Sequence, residues 1–218
     1  MTRQLMILVF ITLASACATT KEPPDYTNFL ESKPASILVL PPANQSVEVT
    51  APSACLSVLS QPIAEKGYYV LPVSLVSQYF KENGVTVAED IHQIPVKKLY
   101  EVFGADAVMY ITIQQWGQQY QVVSSEAKVI ASIRLVDARN GAELWNGDIN
   151  MVQSSQSATG GLLESIIVAA ATQIAASDGR LSLELARDGS HKLFFDEKYG
   201  LISGPRAASD ESTSESKS

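Results

Sequence analysis

The chain of 218 residues carries 16 Lys and Arg against 23 Asp and Glu, for a formal charge of −7. Hydrophobic residues make up 46 % and charged ones 18 %, which suits a folded domain with a real core and excludes a disordered chain. The acidic balance, with no local cluster of basic residues, speaks against binding a phosphate backbone, so no nucleic-acid partner is expected.

Residues 1–16 read as a processing signal rather than part of the fold. Arg3 supplies the positive start, Leu5 to Ile11 with Leu13 the apolar run, and Ala14-Ser15-Ala16 the small residues ahead of Cys17. The run falls short of the about 20 apolar residues a spanning helix needs. The later stretch from Leu162 to Ala176 is interrupted by Glu164 and Gln173. Small residues before a cysteine resemble the bacterial lipobox, with Ala14 at the position where Leu is commoner. The resemblance implies cleavage between Ala16 and Cys17 and attachment of palmitate-type acyl chains to Cys17. The alternative is an ordinary secretory signal cut at Ala16. Each buried methylene contributes about 0.8 kcal/mol, so two or three chains anchor stably where one does not. Ala18, rather than Asp, implies by resemblance to lipoprotein sorting rules the outer membrane. The domain would then face the periplasm, or be displayed at the surface.

Residues 17–35 are expected to form a lipidated tether, with Pro23-Pro24, Pro34 and no sustained periodicity. Residues 36–203 are expected to form one α/β domain. Residues 204–218, rich in Ser, Asp, Glu and Lys, are expected to form a disordered tail. Past the signal, Cys55 is the one thiol besides Cys17, so no disulfide forms within the domain. Its helical spacing with Leu59, Pro62 and Ile63 places it toward the core, and a bridge to a second chain is the alternative.

Ile37 to Leu40 reads as a buried strand stopped by Pro41-Pro42, and Ala43 to Thr50 as a polar loop. Pro52 to Lys66 has helical spacing, with Gly67 as its cap and a kink or break expected at Pro62. Tyr68 to Leu71 reads as a second strand, which makes a parallel crossover unit. The next helix begins near Ser74, with Leu75, Val76, Tyr79 and Phe80 inward, and ends at Asn83-Gly84. A shorter one follows Pro95, with Leu99, Val102 and Phe103 inward and Gly104 closing it. Ala107 to Gln114 is apolar on both faces, as in a central strand.

Lys128 to Leu135 alternates, and Asn140-Gly141 marks a hairpin. A three-residue loop over Arg139-Asn140-Gly141 pairs Leu135 with Trp145, Ala131 with Ile149 and Val129 with Met151. That register aligns the apolar residues, with Gly141 left-handed. Leu162, Leu163, Ile166, Ile167, Ala170 and Ile174 outline a long helix, and Arg180 to Arg187 another turn or two. Leu193-Phe194-Phe195 reads as a last strand or a patch for a partner. The fold class is therefore α/β. A mixed sheet carries packed helices, with the parallel crossover on the N-terminal side and the antiparallel hairpin near Asn140-Gly141.

No catalytic, cofactor or metal site is expected. The two histidines, His92 and His191, are too few for a clustered site. Ser125-Glu126-Ala127-Lys128 matches S-x-x-K, but that motif needs a helix, and here it opens an alternating strand. Glu89 and Asp90 beside His92 could serve as acid and base, although solvated loop residues are the simpler reading. Gln114 to Tyr120 holds Trp116 and Tyr120 in a polar run suited to an interface. Together with Phe194 and Phe195 these are the candidate interface residues.

Several fragments carry a resemblance: Pro41-Pro42-Ala43-Asn44-Gln45-Ser46, Gly67-Tyr68-Tyr69-Val70, Gly104-Ala105-Asp106-Ala107, and Asp137-Ala138-Arg139-Asn140-Gly141 ahead of Leu144-Trp145. In this order, behind a lipobox, they resemble the outer-membrane lipoprotein family known as domain of unknown function 799. They are also similar to the α/β domain of the TolB N-terminal type. That domain recurs in curli-secretion lipoproteins and in lipoprotein activators of penicillin-binding proteins. The resemblance implies a non-enzymatic lipoprotein held to the membrane by its lipid, which associates with itself, as a dimer, or with other envelope lipoproteins. An activator of a cell-wall synthase is the nearest alternative. A peptidoglycan- or sugar-acting enzyme is the alternative of another class.

Overall fold

The computed structural model describes residues 24–120, 125–154 and 179–207. Six strands form one mixed sheet: β1 (Ser36–Val39), β2 (Ala43–Asn44), β3 (Tyr69–Val70), β4 (Ala107–Tyr120), β5 (Ser125–Asp137) and β6 (Glu143–Ser154). The order is β3-β1-β4-β5-β6, and β2 also pairs with β4. The pairings of β1 with β3, β1 with β4 and β2 with β4 are parallel, while β4–β5 and β5–β6 are antiparallel. This is the mixed α/β sheet that the alternation of strand and helix patterns predicts, with β4 central as its two apolar faces require.

Helices cover the sheet on both sides. One face packs Val39, Met109, Ile111, Ile133 and Trp145 against α2 (Ala51–Glu65) and α6 (Arg180–Phe194). The other packs Leu38, Leu40 and Val108 against α3 (Val73–Glu82), α4 (Ala88–His92) and α5 (Val96–Phe103). Each fully buried aliphatic or aromatic side chain contributes about 1.5–3 kcal/mol, so these two layers hold the fold.

The chain enters through α1 (Thr27–Ser32), which lies in the segment expected to be tether. Phe29 is buried in the main core, and the Tyr26 hydroxyl donates to the Gly200 carbonyl. Residues 26–35 are therefore packed on the domain. The Asp106 carboxylate then accepts from the Ala35 and Ser36 amides and the Ser36 hydroxyl, which ties the start of β1 to the start of β4.

Several expectations are corrected. α2 runs unbroken through Pro62, whose own carbonyl still accepts from Lys66. Leu75, Tyr79 and Val102 are exposed, because α3 and α5 are covered on one side only. The second strand is just Tyr69–Val70. Ala43–Asn44, read as loop, forms β2, and the stretch around His92 forms α4. Leu193-Phe194-Phe195 is the end of α6, not a strand. The helix expected over Leu162 to Ile174 lies outside the described residues.

Two bulges refine the long strands. β4 shifts register between Ile113 and Gln115. A single extra residue exchanges the faces of everything beyond it. Trp116 therefore joins Ile111 and Ile113 on the core side, opposite Val129. In the hairpin, Leu135 pairs with Trp145, Ala131 with Ile149 and Val129 with Met151, as the apolar alternation predicts. The turn differs from the expected one. The Asp137 amide donates to Ala142 and the Gly141 amide to Asp137, which leaves Ala138 to Gly141 in the loop. Leu144, buried beside Trp145, then takes up the shift between Val136 and Leu135. Gly141 is left-handed at φ 79°.

Candidate functional site

Among the described residues no group of three His, Cys, Asp or Glu is placed to hold a metal ion. Glu89 and Asp90 sit exposed in the first turn of α4. His92 Nε2 donates to the Pro41 carbonyl at 2.9 Å, and burial pushes its pKa down. Its role there is to tie α4 to the loop after β1. The Ser125–Lys128 stretch opens β5, and Lys128 pairs with Glu126 at 2.8 Å.

The most heavily bonded acid is Asp137, 1 % exposed. It accepts from the Ser32 hydroxyl, the Arg139 amide and the Arg139 guanidinium. Burial alone would raise its pKa, but these donors outweigh burial and hold it at about 2. The Ser32 bond joins α1 to the hairpin and the Arg139 bonds hold the turn, which is a structural task. Cys55 is 2 % exposed in the core, and burial pushes its thiol up to about 12, far from a nucleophile's range.

Of the residues singled out above, Ala16 and Cys17 lie outside the described residues. Trp116 corrects the interface expectation, because the bulge in β4 turns it into the core. Tyr120 ends β4, and its side chain lies outside the described set. Phe194 corrects the interface expectation: it is fully buried, with its ring 5.6 Å from Trp145. Phe195 remains accessible, stacked on His191 at 4.5 Å with Lys66 over its ring.

The most exposed large apolar side chains are Val47, at 98 %, and Val49, at 87 %. Both stand on the loop between β2 and α2. The loop starts where the Gln45 amide donates to Ile113 at the end of the β2–β4 pairing. Asn44 Oδ1 then accepts from the Ser46 amide and hydroxyl, while Asn44 Nδ2 donates to the Glu48 carbonyl. Glu48 Oε1 accepts from the Thr50 hydroxyl and amide, which hold its carboxyl below the usual range. Asn, Ser and Thr make such turns because their short polar side chains reach the adjacent backbone. The valines have no part in this network and point outward. Isolated exposed apolar residues are ordinary. Two stiff β-branched side chains on a loop locked by its own hydrogen bonds form a preorganised contact.

A second apolar feature lies at the opposite end of the sheet. Phe29, Leu30, Tyr68, Ile202 and Pro205 line a groove of about 250 Å³, with Lys33 at its rim. The Tyr68 hydroxyl donates to the Ile202 carbonyl, which closes the C-terminal segment over it. Leu30 is 59 % exposed at its mouth. The candidate sites are thus two separate surfaces, a projecting valine loop and an apolar groove. Sequence reasoning missed both. Val47 and Val49 carry one legible signal, two β-branched apolar residues in an otherwise polar loop.

Comparison with known proteins agrees with this envelope setting. A family model described as "Putative lipoprotein GNA1162-like" matches residues 24–206. The "Putative lipoprotein NMB1124/NMB1162" of Neisseria meningitidis serogroup B is 41 % identical over 201 residues, 91 % of this chain and 94 % of that one. The crystal structure of lipoprotein GNA1162 from Neisseria meningitidis is 45 % identical with a TM-score of 0.54, over 65 % of this chain and 99 % of that one.

Proposed function

The chain belongs to the GNA1162-like lipoprotein family, and on that premise we propose a non-enzymatic envelope lipoprotein that works by protein–protein contact. Residues 1–16 are its signal peptide, and Cys17 carries the lipid that holds it to the outer membrane with its domain facing the periplasm. The tail expected from residue 204 begins later, because the Gly204 and Arg206 amides donate to the Lys66 and Gly67 carbonyls and hold that segment on the domain. The finer kinship, to domain of unknown function 799 and the TolB N-terminal type, is part of this reading. It rests on the Asp106 and Asp137 motifs, whose carboxylates pin the strand ends.

The observation that carries the reading is the rigid display of Val47 and Val49. Leaving both in water forgoes the apolar transfer free energy of two side chains, about 1.5–3 kcal/mol each when fully buried. The hydrogen-bonded loop has no need of them, so a contact with another protein accounts for their position. Partners are a second copy or another envelope lipoprotein.

The test is crosslinking and capture from membranes expressing the full chain, with and without Val47→Asp and Val49→Asp. Specific crosslinked products that disappear in the double variant, at unchanged melting temperature, support the proposal. A wild-type chain that crosslinks to nothing, itself included, contradicts it. Recovery of a cell-wall synthase by the wild type alone would select the activator form. Cys17→Ser tests the anchor: the variant should leave the membrane fraction and lose the mass of the acyl chains.

A further inference from the structure

We infer that the Val47–Val49 loop of one copy seats in the Phe29–Tyr68 groove of a second copy, so that the lipoprotein assembles head to tail. This rests on the contact function proposed above and names its partner. The two surfaces lie at opposite ends of one molecule. α2 begins directly after the loop, at Ala51, and ends at Glu65, just before Tyr68 in the groove. Fifteen helical residues span about 22 Å. The strands agree: Tyr69 pairs with Ser36 at the near end of the sheet, and Asn44 pairs with Ile113 toward the far end. The loop therefore cannot reach its own groove, and the two surfaces are left for different copies.

Shape and charge both match. The loop is a convex apolar tip with Glu48 between its valines. The groove is a concave apolar slot with Lys33 at the rim and Arg206 nearby, over the Tyr69 ring at 5.9 Å. Seating the tip brings a carboxylate toward ammonium and guanidinium groups while the valines leave water. Charge complementarity of this kind fixes orientation and suppresses the reversed, tip-to-tip encounter, which would set Glu48 against Glu48. The contact is heterologous, so each copy keeps a free tip or a free groove. The assembly continues into a ring or a string rather than stopping at a symmetric pair.

The experiment uses the full-length chain in membranes with Val47→Cys and Leu30→Cys, oxidised with copper phenanthroline. The double variant should give a ladder of disulfide-linked species. Mixed single variants carrying different tags should give one crosslinked heterodimer. Lys33→Glu should cut the yield several-fold, and Lys33→Arg, which keeps the charge, should leave it unchanged. No ladder, or crosslinking of Val47→Cys alone as efficient as that of the mixed pair, overturns the head-to-tail arrangement. If the ladder is absent yet Val47→Asp with Val49→Asp still abolishes capture of another envelope protein, only this inference falls. If those aspartates leave every crosslink and capture as in the wild type, the proposed function falls with it. A lipid-seeking tip would show as Val49→Asp, placed in the Val47→Cys and Leu30→Cys background, leaving the ladder at full yield, which also overturns it.

Discussion

Asp137 and Arg139, two residues apart, close a 2.8 Å ion pair in which the carboxylate is buried and the guanidinium stays half in solvent. The same guanidinium donates to the Ser32 carbonyl and hydroxyl. One charged pair thereby ties the entering helix α1 to the β5–β6 turn.

This pair makes stability depend on acid. The folded Asp137 carboxyl titrates at about 2, below its ordinary 3.8. Its contribution is therefore present above the ordinary value and is lost as pH falls from about 4 toward 2. A shift of this size corresponds to roughly 2 kcal/mol, after discounting for the solvent-facing guanidinium. Urea unfolding of the wild type between pH 5 and pH 2 should show that loss. Asp137→Asn should be less stable at neutral pH and flatter over the same window. A variant with the wild-type acid slope would contradict this account.

Gly141→Val should lower the melting temperature. The nearest side-chain atom to a new Cβ is Val96 Cγ1 at 3.6 Å, so space is available. The φ of 79° is the obstacle, and a β-branched residue held there costs on the order of 1–3 kcal/mol. Thermal unfolding measures it directly.

Gly189→Ala sets two effects against each other. Alanine in a helix interior gains about 1 kcal/mol over glycine. A Cβ on α6 at this position would meet Ile149 Cγ2 at 2.7 Å and Met151 Cγ at 2.8 Å. Overpacking of a tight contact costs about 1–3 kcal/mol, so the net effect should be destabilising. A variant that unfolds at higher denaturant than wild type would show that β6 yields easily.

Cys55 should resist maleimide in the folded chain at pH 8 and react once urea opens the core. Its burial and its pKa of about 12 both suppress the thiolate. Labelling of the native protein at the rate of a free thiol would contradict the burial.

What the amino-acid sequence determined by itself was local and periodic. The alternation from Val129 to Leu135 and the Asn140-Gly141 turn set the hairpin register, because a one-residue slip would move the whole apolar set into water. Gly84 and Gly104 marked helix ends, and the two-faced apolar run from Ala107 marked the central strand. The tertiary structure decided whatever depends on partners distant in the chain. The bulge after Ile113 turned Trp116 inward, beyond the reach of any repeat of two. Docking of α1 on Asp137 and Gly200 folded a segment that reads as tether. The helix pattern identified Leu75 and Val102 as apolar, but their exposure followed from how few elements cover α3 and α5. Val47 and Val49 became a displayed pair only when β2 found its place along β4 and the Gln45 amide met the Ile113 carbonyl, since the turns inside the loop are local and do not fix where it projects.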